Sequence, residues 1–166
     1  MISKKIASVI TSIMVFSCIV GVSLTNVKAD DSAPKSVDGS YLTSADSSTG
    51  YTPKNNERGK HLMDGQCSIS KTGTKRIYAY GSTTANHTVD AVAVIVYVDR
   101  YHESDGKWHQ IDAFSKKVEN DYYSAISKSI QVDRGYYYRV HADHLVRMGE
   151  DPVEETYSVT NGILVP

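Results

Sequence analysis

Four histidines, His102, His109, His141 and His144, with Asp143 among them, are the residues of this chain best suited by type to hold a metal or carry a proton. Their spacing argues against a metal. In His141-Ala142-Asp143-His144, residues three apart on a strand point to opposite faces. His141 and Asp143 share a face and could pair, but two ligands need a third from a neighbouring strand. Solvated strand histidines are the default, and neither metal nor cofactor is expected. Serine, histidine and aspartate are abundant, yet no nucleophile elbow, zinc-helix motif, phosphate loop or carboxylate pair stands in the context its chemistry requires. Cys67 could be drawn with a histidine as nucleophile and base. Its alternation with Ile69 reads instead as a small buried hydrophobe. No enzyme is expected.

Tyrosine is the other conspicuous type, with twelve against two phenylalanines and one tryptophan. Outward tyrosines supply rigid amphipathic contact area for proteins or sugars. Tyrosine is equally a good strand former on a half-wet face, and scattered copies need no ligand. Alternation turns Tyr137, Tyr101 and either Tyr78 or Tyr80 outward. With Arg139 beside Tyr137 on the same face, Tyr101, Tyr137 and Arg139 are the candidate binding residues. The partner they suit is an extracellular or envelope protein or a glycan.

The elements that must position these residues are short and alternating. Seven strands are expected, over Gln66–Ile69, Lys75–Thr84, Asp90–Glu103, Lys107–Lys116, Ser124–Val132, Tyr136–Val146 and Glu155–Val165, the last interrupted at Asn161-Gly162. Val92, Val94, Val96 and Val98 make a β-branched stripe on one face. In the sixth strand Tyr136, Tyr138, Val140 and Ala142 point inward, and Tyr137, Arg139, His141 and Asp143 outward. At Asp105-Gly106, loop length sets register, because a one-residue slip flips every side chain. A three-residue Ser104-Asp105-Gly106 loop with Gly106 left-handed would pair Val96 with Phe114 and His102 with Trp108, placing both aromatics by the valines. No helical period competes after the first segment.

Met1 to Ala29 reads as a secretory signal: basic Lys4 and Lys5, an apolar run from Ile6 to Leu24, and Val27-Lys28-Ala29 before the cut. A retained anchor and a lipoprotein signal at Cys18 are the competing readings. Scattered Ser, Thr and Gly weaken the first, and Phe16, two before the cysteine, fits the second poorly. Cleavage after Ala29 would take three lysines away and leave a mildly acidic chain, which argues against a nucleic-acid surface. It would also leave Cys67 alone, with no internal disulfide. Residues 30–60, rich in Ser, Thr, Asp and Gly, are expected to be a flexible linker. No wall-sorting pattern closes the chain, so a released product, without membrane contact after cleavage, is expected. Residues 61–166 suit one domain.

Val132, Gly135, Tyr138, Val140 and Ala142 resemble the turn and tyrosine corner of immunoglobulin-like and fibronectin-III-like sandwiches, with Arg134 where the latter usually carry proline. There the phenol hydroxyl bonds back to the preceding connection. From about Gly59 to Val165 the chain is also similar to a family of small secreted proteins of Gram-positive bacteria, a domain of unknown function. Gly65 with Ser68-Ile69, Gly81-Ser82-Thr83-Thr84-Ala85, the valine stripe, Gly106-Lys107-Trp108, Gly135 to Val140 with His144, Glu155, and Thr160-Asn161-Gly162 carry that likeness. It implies secretion and one compact domain, and brings no site residues. The reading is a single antiparallel β-sandwich of immunoglobulin-like kind serving as a non-catalytic binding module. A secreted bacteriocin-like or toxin-like effector is the alternative.

Overall fold

The computed structural model describes residues 34–53 and 59–166. The export signal expected over Met1 to Ala29 lies outside the described residues, as do residues 30–33 and 54–58 of the expected linker. The described chain is all-β: β1 (Ser36–Val37), β2 (Ser40–Thr43), β3 (Ser47–Tyr51), β4 (Leu62–Gly73), β5 (Arg76–His102), β6 (Lys107–Gln131), β7 (Tyr136–Arg147), β8 (Glu154–Val159) and β9 (Gly162–Val165). They form one curled sheet in the order β1-β2-β9-β7-β5-β4-β3, with β6 also on β5 and β8 also on β7. The pairs are antiparallel except β2 with β9, which run parallel, so the sheet is mixed rather than purely antiparallel.

Two expected pairs of strands prove to be two long ones. β5 has 27 residues and β6 has 25, and they stay paired from end to end. Both bend at the same place. Thr84 faces Tyr123 and Val89 faces Asp121, so exposed Asn86, His87 and Thr88 bulge out of β5 while Asn120 takes a left-handed backbone at φ 55°. A bulge adds local twist and lets a strand turn without ending. Beyond the bend the inner faces meet. A Cβ on Gly81 would collide with the methyls of Val94 and Val96, so only glycine permits this approach.

Alternation fills the space between the faces. Val94, Val96 and Val98 are fully buried with Ile69, Ile77, Val140 and Ile163, and Val92 joins Leu62, Val89 and Val146 near the bend. Each such side chain contributes about 1.5–3 kcal/mol on leaving water. The expected tyrosine corner is present: buried Tyr138 donates its hydroxyl to the Asp133 carbonyl at 2.9 Å, after Gly135 has turned the chain at φ 83°. Tyr136, expected inward, is exposed because it opens β7 past the end of the core.

The hairpin register is right in its body and wrong at its tip. Val96 faces Phe114 as expected and Gly106 is left-handed at φ 70°, but Tyr101, not His102, faces Trp108. The loop is one residue longer, Glu103 to Gly106, and an irregularity between Val98 and Asp99 restores the register. Phe114 therefore packs on the valine core, while Trp108 lies beside Tyr101 on the other face.

The larger correction concerns the linker. Ser36 to Tyr51 forms β1, β2 and β3, all hydrogen-bonded into the sheet. Composition measures how much apolar surface a segment can bury for itself. It misses a segment that covers polar and aromatic groups belonging to other strands.

Candidate functional site

Two of the three expected binding residues lie beneath that cover. Tyr101 is 1 % exposed, with its ring 5.4 Å from that of Trp108 and its hydroxyl accepting from Lys35 Nζ at 2.7 Å. Arg139, expected outward, is 6 % exposed. Its Nε donates to Asp99 Oδ2 at 2.9 Å, Nη1 to the Asp38 carbonyl at 3.0 Å and Nη2 to Asp38 Oδ2 at 3.1 Å. The guanidinium lies 4.6 Å over Trp108, whose indole nitrogen donates to the Val37 carbonyl at 3.0 Å. Their side of the sheet is the outer one, as alternation requires, but β1 and β2 lie across it. Burial works to raise the Asp99 carboxyl, and His141 with Arg139 outweighs it, holding the group below its usual range. His141 thus pairs with Asp99 at 3.1 Å, and the pairing with Asp143 considered from the sequence is not made.

A serine, a histidine and a threonine meet in the core. Ser158 Oγ is 2.8 Å from His144 Nε2, and Thr83 Oγ1 is 2.9 Å from Nδ1. Thr83 commits its proton to the Ala93 carbonyl at 2.8 Å. His144 must therefore carry hydrogen on Nδ1 and accept from Ser158 at Nε2. That is the arrangement of a nucleophile and its base, but all three side chains are buried. Burial pushes the His144 imidazole down to about 4 and the nearby Cys67 thiol up to about 11. These are satisfied core groups, and Cys67 is the buried hydrophobe its alternation with Ile69 predicts. Among the described residues no cluster of three or more His, Cys, Asp or Glu side chains is placed to hold a metal.

Tyr137, the third expected residue, is half-buried and lines a cleft of about 480 Å³ between the β5–β6 loop and the β6–β7 turn. Arg100 is fixed there: Nε donates to His102 Nε2 at 3.1 Å, Nη1 reaches Asp133 at 3.3 Å, and the guanidinium lies 4.8 Å over Tyr136. Arg134, Glu103 and Ser104 complete the lining, so charges of both signs face the space.

A more extensive surface lies on the outer face where β3, β4, the first half of β5 and the second half of β6 run side by side. Cross-strand neighbours share a face, about 4.8 Å apart. One row is Ser47, Ser70, Tyr78 and Ser129; the next is Thr49, Ser68, Tyr80 and Ser127; a third is Tyr51, Gln66, Ser82 and Ala125. None of these side chains carries a formal charge. Charges border the rows: Asp64, bonded to Thr52, at one margin, and at the other the Asp46–Lys71 pair and Arg76, whose Nη1 donates to Ser129 Oγ at 3.5 Å. Tyr123, next along β6, bonds its hydroxyl to that of Tyr80 at 2.9 Å, with Ser82 buried between them. Tyr51, Tyr78 and Tyr123 are exposed. The outward tyrosines of this half are therefore gathered, and both Tyr78 and Tyr80 belong to the set.

The sequence signal for this face was the strict alternation of Ile77 and Ala79 with Tyr78 and Tyr80. What it lacked was the neighbour list: nothing in the sequence sets Ser68 or Ser127 beside Tyr80. No family model matches the chain, and no curated protein is found similar to it.

Proposed function

We propose that this chain is a secreted, non-catalytic binding module of the extracellular space or cell envelope, working through the outer face of β3, β4, β5 and β6. The architecture we assign it is a β-sandwich of immunoglobulin-like kind, a reading supported by the opposed inner faces and the Tyr138 corner. One observation carries the function: four tyrosines and a set of uncharged polar side chains share one continuous four-stranded face. Surfaces of soluble proteins normally mix Lys, Arg, Glu and Asp throughout. Tyrosine offers large contact area while fixing only two torsions, so a gathered set favours association.

The test is capture of partners from the producing cell's envelope and medium by the tagged chain. The comparison is wild type against Tyr80→Ser and Tyr123→Ser, with folding verified by circular dichroism. Capture should fall at least about tenfold in each variant. Equal capture by the variants would refute the reading, and folded protein that captures nothing would move the weight to an effector acting on other cells.

A further inference from the structure

We infer that the partner of this face is an uncharged polysaccharide. The inference rests on the reading above and adds the ligand's chemical class. Three features of the face point there. Its interior rows hold no formal charge, so an ionic polymer gains nothing from them and loses hydration on contact. Tyr78 and Tyr80 stand two residues apart on one strand, presenting rings about 7 Å apart, and Tyr123 bonded to Tyr80 holds a third ring in place. Sugar rings are apolar on their faces and polar at their edges, so rings above and hydroxyls around them meet both needs. Beside Tyr80 in its row stand the hydroxyls of Ser68 and Ser127 and, beyond Ser68, that of Thr49, able both to donate and to accept, as sugar hydroxyls require.

A protein partner would fit less well. Protein interfaces centre on a hydrophobic core within a polar rim. Here the rows carry no aliphatic side chain larger than Ala125, and serines flank the rings of Tyr78 and Tyr80 on both sides. Strand geometry also favours a long ligand. The rows continue across four strands, so successive sugar units can meet repeated hydroxyl positions, and many weak contacts sum along a chain.

Affinity gel electrophoresis of the full chain tests this, with hydroxyethylcellulose, soluble β-1,3-glucan and dextran as neutral probes and polygalacturonate and hyaluronate as anionic ones. At least one neutral polymer should retard the protein, equally at 50 and 500 mM NaCl, since uncharged contacts are not screened. Tyr78→Ser with Tyr80→Ser should weaken retardation at least about tenfold. Tyr80→Phe, which keeps the ring, should retain most of it and guards against a folding artefact. Retardation only by the anionic polymers, lost at high salt, would overturn the assignment. So would no retardation by any polymer. If tyrosine-dependent capture from the envelope persists in that case, the binding-module reading stands and only the ligand class fails. Loss of both removes both. Tyrosine-dependent self-association in sedimentation would assign the face to a second copy and also overturn the inference.

Discussion

His144 shows how one buried side chain ties this protein's stability to pH. Its ring is sealed between Thr83 and Ser158 and has no room for hydration, so protonation is pushed from 6.5 down to about 4. The unfolded chain takes a proton near 6.5 and the native protein does not until about 4. Stability from this residue is therefore complete above about 6.5 and is lost as pH falls from there towards 4. The loss is on the order of 3 kcal/mol, at about 1.36 kcal/mol for each pH unit between the two values. The urea midpoint should drop between pH 7 and pH 4.5, and the drop should be much smaller in His144→Gln, which keeps a polar side chain but cannot titrate. A matching slope in that variant would place the acid sensitivity elsewhere. Among residues, the sequence showed Cys67 and Tyr138 correctly because local alternation and turn spacing decide them. His144 was read as a solvated strand histidine because its hydroxyl partners come from β5 and β8, far along the chain.

At the scale of elements, Arg139 ties the turn between β1 and β2 to the strands beneath it. Arg139 binds Asp99 below it and Asp38 above it, and Trp108 closes the side. Arg139→Met keeps the length and much of the packing of the stem but leaves the Asp99 carboxylate buried with His141 as its remaining side-chain partner. Removing one member of a buried ion pair typically costs about 3–5 kcal/mol. We expect a loss of that size in urea unfolding, with a red shift of Trp108 fluorescence as the cover lifts. Asp99→Asn combined with Arg139→Met should recover part of it, since the uncompensated charge is then gone. A red shift without lost stability would mean the cover contributes little. The hairpin teaches a related lesson about elements. Its body was legible because the valine stripe demands Phe114, whereas its tip was not, because two one-residue irregularities cancel and leave no trace in the pattern.

For the whole molecule, the continuity of β5 and β6 through both halves makes independent unfolding of either half costly, because each bend would have to break while its strands remain paired on one side. Urea unfolding followed by far-ultraviolet circular dichroism and by the single tryptophan should give superimposable transitions. An earlier fluorescence transition would show β1 and β2 leaving first. The same continuity forms the tyrosine face, since it holds β4 on one edge of β5 and the end of β6 on the other, and so aligns the serine and tyrosine rows.

The sequence by itself determined what period and turn chemistry can express: an all-β chain, the valine stripe, the Gly106 and Gly135 turns, the tyrosine corner and an interruption of the last strand, which falls at Thr160-Asn161, one residue before the expected Asn161-Gly162. Those features rest on contacts within a strand or across a tight turn, where a residue's neighbours are its neighbours in the chain. Tertiary structure alone decided that residues 35–40 cover Arg139 and Tyr101, that β2 lies parallel to β9, and that Tyr51, Tyr78, Tyr80 and Tyr123 share one surface. The physical reason is that exposure depends on which distant segment lies across a strand, and a two-residue period records which face a side chain takes but not what covers it.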